Sequence, residues 1–167
     1  WPGVPLSTYN SNLFPNYELL RESMGQQLTL YDADGVETWD LNLAEFWSSE
    51  RADYCLRRHH DTWVLENGNI LVHGSHFLKP DVAISLGRNP EHLDQATSHG
   101  SGSACQNTNF ESGFLMEIEP VGASSAVIVW EWYMVDHFIQ DYDEAKANYI
   151  PTVDFHRYPD KIDINLP

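Results

Sequence analysis

Residues 62–73 read Thr-Trp-Val-Leu-Glu-Asn-Gly-Asn-Ile-Leu-Val-His, and no other stretch of the chain indicates its local structure so clearly. Two apolar runs flank a polar centre in which Asn67 precedes Gly68. Asparagine and glycine both tolerate the positive φ angles of a tight turn, so this pair is a strong short-range signal for a β-hairpin. The stretch therefore predicts two antiparallel strands, Thr62–Leu65 and Ile70–His73, joined by a turn.

Two further hairpins lie on either side of this one. Gln27–Leu41 has alternating strands around an Asp-Gly turn, and Phe114–Trp132 repeats that arrangement with a longer turn. In both, the second strand carries a tryptophan followed by an acidic residue, at Trp39 and at Trp130. An alternation of two hairpin types, each pair forming a four-stranded antiparallel unit, is typical of β-propeller blades. We therefore expect an all-β chain with about one and a half propeller blades and long loops.

The positions of the hairpins predict the domain organisation. We expect residues 1–167 to form part of one propeller domain, with an irregular lead-in (1–24), blade hairpins (26–132) and a long loop without a final strand that leads to a missing blade (133–167). The long connection between the second and third hairpins is expected to hold a short helix around Asp81–Leu86. A propeller ring takes at least four blades of four strands, which these hairpins cannot supply. The chain is therefore expected to be a fragment, or to pack against another polypeptide.

The charge of the chain limits its partners. Nine lysine and arginine residues stand against 25 aspartate and glutamate residues, which gives a formal net charge of −16. Such a surface repels nucleic-acid phosphates and anionic lipid headgroups, so neither kind of binding is expected. No apolar run reaches the length of a membrane span. Cys55 and Cys105 can pair in an oxidising compartment or remain two buried thiols, and two cysteines alone leave both alternatives open.

Several motifs, taken in order, resemble those of one enzyme family. The segment His59–Leu71 resembles the His-Asp…Leu-x-Asn-Gly-Asn-Ile-Leu element of the arylsulfate sulfotransferases. The segments that look like later elements of the same family are Gly87-Arg88-Asn89-Pro90, Val129-Trp130-Glu131-Trp132, Asp136-His137 and Gln140-Asp141-Tyr142-Asp143. Each motif is weak by itself, and their order and spacing over most of residues 26–165 make the resemblance more specific.

The resemblance implies a six-bladed propeller with its active site in the central channel. Enzymes of this family move a sulfuryl group from a phenolic sulfate ester to a phenol acceptor through a sulfated histidine. This chemistry needs a neutral imidazole, groups that hold the sulfuryl oxygens, and a proton donor for the leaving phenolate. The nucleophilic histidine is expected in a later segment, beyond Pro167. The implied location is secreted, extracellular or periplasmic, and the implied protein partner is the remainder of the propeller or another chain.

The family positions predict catalytic residues. His60 is expected to line the channel just before a strand, with His59 beside it and Asp61 orienting a neighbouring imidazole. His137 is expected to line the same channel, next to Asp136. The structural alternatives are a loop-to-strand corner in which histidine caps backbone groups, and an Asp–His pair that ties down a long loop.

Other polar residues have weaker claims to a site. Arg88 and Lys79 are two of the few cations and are predicted to bind the anionic substrate, with an ordinary surface ion pair as the alternative. His73 and His76 could supply two metal ligands, yet an exposed strand end explains them better and no metal is predicted. No cofactor is expected. Calcium is the remaining option, at the acidic residues Asp141, Asp143 and Glu144, where a solvated acidic loop is the simpler interpretation.

A non-catalytic function remains an alternative to the enzyme. The same propeller could act as an extracellular binding module or as a structural part of an assembly, and the strong negative charge favours that interpretation. A calcium-dependent adhesion or matrix protein that uses the acidic loops is a third alternative.

Overall fold

The computed structural model describes residues 19–22, 26–99 and 103–166, and it describes side chains from residue 26 onward, apart from those of His60 and Val153. These residues are mainly strands in antiparallel sheets, which confirms the all-β prediction. Within them no sheet closes on itself. Most of the expected lead-in, residues 1–18 and 23–24, lies outside the described residues. No helix in the described ranges is long and apolar enough to cross a membrane.

The first sheet has three strands in the order β1-β2-β3: β1 Leu19–Glu22, β2 Gln27–Tyr31 and β3 Glu37–Asn42. Strands β2 and β3 form the hairpin that the sequence predicted, with Leu30 opposite Trp39. Strand β1 corrects the expectation of a wholly irregular lead-in. Its backbone pairs antiparallel with residues 28–31 of β2, so hydrogen bonding to a neighbouring strand imposes an extended conformation that the local sequence did not indicate.

Helix α1 (Leu43–Glu50) follows β3 directly and was not expected from the sequence. The Asn42 side-chain oxygen accepts hydrogen bonds from the backbone N–H groups of Ala44 and Glu45, at 3.0 and 3.3 Å. This cap satisfies donors that the first turn of a helix leaves without partners. The buried residues of the helix recur at helical spacing, at Leu43, Phe46 and Trp47.

The second sheet joins the other two predicted hairpins. Its strands are β4 (Cys55–Val64), β5 (Ile70–Leu78), β6 (Phe110–Val121) and β7 (Ser125–Tyr133), hydrogen-bonded in the order β4-β5-β6-β7. Four consecutive strands in sequential order are the arrangement that the prediction of a blade required. Each strand is longer than the sequence indicated, and β4 begins seven residues earlier than expected.

The turn between β4 and β5 lies where the sequence predicted it, and of its Asn-Gly pair only the glycine has a positive φ. Gly68 has a φ of +88°, and its N–H donates to the Leu65 carbonyl oxygen at 2.9 Å. The Asn67 side-chain oxygen accepts from the Asn69 N–H at 3.0 Å, and the Asn67 side-chain amide donates to Glu117 Oε1 at 3.2 Å. Side-chain and backbone bonds therefore fix the turn together.

The chain forms two compact units, each with its own buried residues. The first unit comprises residues up to Arg51, Arg57–Gly74 and Leu115–Glu131, and the second comprises Ala52–Leu56, Ser75–Phe114 and residues from Trp132 onward. In the first unit the core includes Leu28, Leu30, Trp39, Leu41, Ile70, Val72, Met116 and Ile118. In the second unit the core includes Phe77, Leu78, Ala83, Phe114, Tyr133, Phe138, Ile139 and Ile164.

The long connections of the second unit contain short regular elements. Helix α2 (Pro80–Ser85) confirms the short helix expected near Asp81–Leu86. Strands β8 (Phe138–Ile139) and β9 (Ile162–Asp163) pair in parallel. This pair corrects the expectation that the segment after residue 133 has no final strand. Each strand has only two residues, too few for a periodic pattern to be visible in the sequence.

Gly87 is a sterically demanding position in the second unit. Its φ is +94°, and a Cβ atom there would overlap Gln140 Cγ and lie 2.8 Å from Gln140 Cδ. We therefore expect Gly87→Ala to lower the free energy of unfolding by about 2 kcal/mol more than Gly35→Ala. Gly35 also has a positive φ, +77°, with nothing within 4 Å of the added carbon. Urea unfolding of both variants measures the two losses of unfolding free energy, and their difference is the cost of the overlap with Gln140. Equal losses in Gly87→Ala and Gly35→Ala would mean that the overlap has no cost.

Candidate functional site

The predicted catalytic residues His59, His60 and Asp61 lie inside β4, which corrects the expectation that they precede a strand. Arginine and histidine are not typical strand formers, so the start of β4 is set by its pairing with β5 rather than by local sequence. The His59 side chain is exposed, and its ring centroid lies 5.4 Å from that of His73 on β5. Asp61 is also exposed. The side chain of His60 lies outside the described residues, and the catalytic roles of all three stay predictions.

His137 ends a 3₁₀ turn, Met134–His137, directly after β7. Its ring stacks on the Trp132 indole, with centroids 4.9 Å apart and an interplanar angle of 29°. The His137 Nδ1 atom is buried and has no hydrogen-bond partner among the residues that the structure describes. Nor does a hydrogen bond join His137 to Asp136 in that part of the chain, so this structure lends no support to an Asp–His pair that ties down the loop.

Stacking on Trp132 fixes the plane of the His137 imidazole, and the Nδ1 atom of this ring has no hydrogen-bond partner among the described residues. A stacked ring cannot rotate freely, because rotation breaks its contact with the indole. An imidazole nitrogen can accept or donate a proton at a reacting oxygen. His137 is thus chemically suited to the supporting role that its family position predicts.

The segment that follows His137 is organised by one buried amide, that of Gln140, whose side chain is 0% exposed. Gln140 Oε1 accepts from the backbone N–H groups of Tyr142 and Asp143, at 2.8 and 2.7 Å. Gln140 Nε2 donates to the Asp143 carbonyl oxygen at 2.9 Å and lies 3.4 Å from Asn148 Oδ1. The buried amide therefore holds the backbone of the acidic loop after β8, at Tyr142 and Asp143, by hydrogen bonds.

Arg88, predicted to bind the substrate, is engaged with the backbone of its own unit. Its guanidinium donates to the carbonyl oxygens of Ile164, Leu166 and His92, and it lies 5.1 Å from the ring centroid of Phe110. Burial lowers the pKa of Arg88, while nearby carboxylates act in the opposite direction. These contacts stabilise the segment around β9, and binding of an anion by Arg88 stays a prediction.

Lys79, the other predicted anion-binding residue, precedes helix α2. Its side chain is half-buried, and its carbonyl oxygen accepts the first hydrogen bond of the helix, from the N–H of Ala83 at 3.0 Å. Lys79, Arg88 and His137 belong to the second unit, whereas His59, His60 and Asp61 belong to the first.

His76 is a buried polar residue whose environment was not expected from the sequence. The expected exposed strand end is wrong here, because β5 continues to Leu78 and His76 is only 6% exposed. Its ring stacks on Tyr54 at 4.8 Å and meets Tyr133 edge-on at 5.6 Å. His76 Nδ1 is buried without a partner in the described ranges. Burial lowers the pKa of His76 to about 4, so the ring is neutral at pH 7.

A signal for this burial was present in the sequence. Side chains of a strand alternate between its two faces, so every second residue shares a face. Counting from Ile70, the buried face contains Val72, Gly74, His76 and Leu78. The predicted strand ends at His73, so it does not include Gly74, His76 and Leu78, which continue the alternation.

Metal binding has no support from the described side chains. No group of three or more histidine, cysteine, aspartate or glutamate residues in those ranges is arranged to hold a metal ion. In the acidic loop, Asp143 pairs with Lys146 at 3.7 Å, and Asp141 accepts a hydrogen bond from the Thr152 hydroxyl. These carboxylates thus have protein partners.

Comparison of the chain with protein-family models, with curated proteins and with solved structures finds no match in any of the three. The resemblance to arylsulfate sulfotransferases therefore rests on the motifs themselves.

Proposed function

We propose that this chain is part of a propeller-type arylsulfotransferase-like protein, which transfers a sulfuryl group from a phenolic sulfate ester to a phenol. Two features support the proposal. The motifs occur in the family's order, and the second and third hairpins form one four-stranded sheet with sequential strand order, as in a blade. The six-bladed ring remains part of this proposal.

The observation that carries the proposal is the state of the His137 imidazole. It follows the last strand of the four-stranded sheet, stacks on Trp132, and has a buried Nδ1 without a partner in the described part of the chain. A histidine with a purely structural role normally has its buried nitrogen hydrogen-bonded, because an unpaired buried polar atom is destabilising. An unpaired buried nitrogen therefore calls for an explanation, and a functional role is one that would account for it.

The proposed reaction has two steps. A histidine nitrogen attacks the sulfur of the ester, the bond between sulfur and the phenolic oxygen breaks, and the leaving phenolate takes a proton. A second phenol then attacks the sulfated histidine, loses its proton and releases the imidazole. The nucleophile is the histidine expected from the family beyond residue 167, and His137 acts beside it as a proton donor or as a hydrogen-bond donor to a sulfuryl oxygen.

The proposed location is secreted, extracellular or periplasmic. Cys55 and Cys105 form a disulfide in the structure, with Cα atoms 4.8 Å apart, so the alternative of two free thiols is wrong. Disulfides persist in oxidising compartments and are rare in the cytosol. The bond supports the proposed location.

A sulfuryl-transfer assay tests the function. The protein, with whatever sequence flanks this chain, is given a chromogenic nitrophenyl sulfate, and release of nitrophenol is followed with and without a phenol acceptor. We expect acceptor-dependent release, and we expect His137→Ala to lower kcat by at least about 100-fold, since acid–base catalysis contributes on that scale.

The matched control for this assay is His92→Ala. His92 is exposed, and its hydrogen bonds within the described residues are made by its backbone, whose N–H donates to Asn89 and whose carbonyl oxygen accepts from Arg88. Its substitution should leave turnover unchanged. If the protein with its flanking sequence turns over no aryl sulfate, the enzyme proposal is wrong and a non-catalytic binding module is favoured, in line with the net charge of −16.

A further inference from the structure

We infer that Gln140 is a positioning residue for His137: its buried amide locks the segment that fixes the imidazole against Trp132. The inference rests on the proposed function for its catalytic consequence. Its structural consequence, the orientation of His137, can be measured without any activity.

The first step of the argument is that the Gln140 amide has its polar atoms engaged. It accepts two backbone N–H groups and donates to a backbone carbonyl oxygen within three residues, and it is fully buried. A buried amide with several protein partners holds a single orientation, because each alternative leaves polar atoms unpaired. The loop from Asp141 to Asp143 is therefore fixed relative to Gln140.

The second step is that the Gln140 backbone is also held. Its N–H donates to the Asn148 carbonyl oxygen at 3.2 Å, and its carbonyl oxygen accepts from the Ile150 N–H at 2.8 Å. The Asn148 side-chain amide donates to the carbonyl oxygens of Leu86 and Phe138, at 2.8 and 3.3 Å. Gly87 packs so closely on Gln140 that no side chain fits between them.

The third step connects the buried Gln140 to His137. Only Phe138 and Ile139 separate Gln140 from His137, and both are buried and paired with β9. On the other side, Trp132 holds the ring by stacking. Because only these two paired residues separate Gln140 from the end of the 3₁₀ turn at His137, a displacement of Gln140 moves the imidazole relative to the indole.

The hydrogen bonds of the Gln140 side chain require an amide, which both donates and accepts. A carboxylate could still accept from Tyr142 and Asp143, but it has no hydrogen to donate and would face two oxygen acceptors. Methionine fills a similar volume and makes none of these bonds. Gln140→Met therefore removes the whole network, and Gln140→Glu removes only the donor half.

The experiment combines NMR with kinetics, using the protein with its flanking sequence. In wild type we expect nuclear Overhauser effects between the His137 ring and the Trp132 indole. In Gln140→Met these cross-peaks should disappear, and kcat per folded molecule should fall at least about tenfold with KM unchanged, because small misplacements of catalytic groups are costly. Gln140→Glu should show a smaller change in the same direction.

The control is Gln95→Met, the same substitution at an exposed glutamine. It should retain the cross-peaks between His137 and Trp132 and the wild-type kcat. If Gln140→Met does not fold, Gln140→Glu provides the same test. Retention of these cross-peaks in the folded Gln140 variant would overturn the inference, whatever its activity. If wild type shows no turnover but the substitution still separates the imidazole from the indole, only the proposed enzymatic function is wrong.

Discussion

Replacing Cys55 and Cys105 together by alanine is expected to lower the free energy of unfolding by roughly 4 kcal/mol. The disulfide joins residues 50 positions apart within the second unit. It restricts the unfolded chain far more than the folded one, and the chain-entropy relation for a loop of this length gives the stated magnitude. Cys55 is also 1% exposed, so its loss removes some buried surface.

Urea unfolding followed by tryptophan fluorescence and circular dichroism measures this loss. The control is Ser103→Ala, an exposed position in the same short 3₁₀ helix as Cys105. It should unfold like wild type. Reduction of the wild-type protein should reproduce the effect of the double substitution. A double variant as stable as the control would show that the bond contributes nothing to stability.

Acidification should destabilise the protein through His76. Its folded-state pKa is about 4, against an ordinary value of 6.5, so the unfolded state binds its proton first as the pH falls. Stability from this residue is complete above about pH 6.5 and is lost progressively as the pH drops toward 4. A shift of this size corresponds to about 3 kcal/mol.

Substitution separates this effect from the titration of the many carboxylates. His76→Phe keeps an aromatic ring against Tyr54 and Tyr133 and removes the buried unpaired nitrogen. Between pH 6.5 and 4, its free energy of unfolding should fall by about 3 kcal/mol less than that of wild type. His92→Phe, at an exposed position, should keep the wild-type slope. Identical slopes for wild type and His76→Phe would mean that His76 is not a buried neutral group.

The hairpins were predictable because their turns are encoded by single residues. Asn67 and Gly68 specify one turn locally, and the Asp-Gly turn before β3 does the same for another. The grouping of the second and third hairpins into one sheet followed from their alternation along the chain. In each case the information lies within a few residues of the feature.

The ends of the strands and the buried polar residues were not predictable in this way. Strand β4 extends through Arg57 and His59 because β5 pairs with it, and such pairing leaves no local trace. Helix α1 begins at a cap formed by Asn42, and Asn42 is also the last residue of strand β3. The strand pattern before it therefore gave no sign of a helix start. The role of Gln140 depends on Asn148, eight residues further along the chain, and on Gly87, which is distant in sequence. Interactions of this kind appear only once the chain is folded.

The turn between β4 and β5 has a chemical consequence. Asparagine loses its side-chain amide most readily before glycine, because the nitrogen of the small following residue can attack the side-chain carbonyl. Here the Gly68 N–H is donated to Leu65, and the Asn67 amide is held between Glu117 and the Asn69 N–H. The folded hairpin therefore slows the deamidation of Asn67. Each opening of the hairpin frees that nitrogen, so aspartate and isoaspartate accumulated at position 67 would record how long the hairpin has spent open.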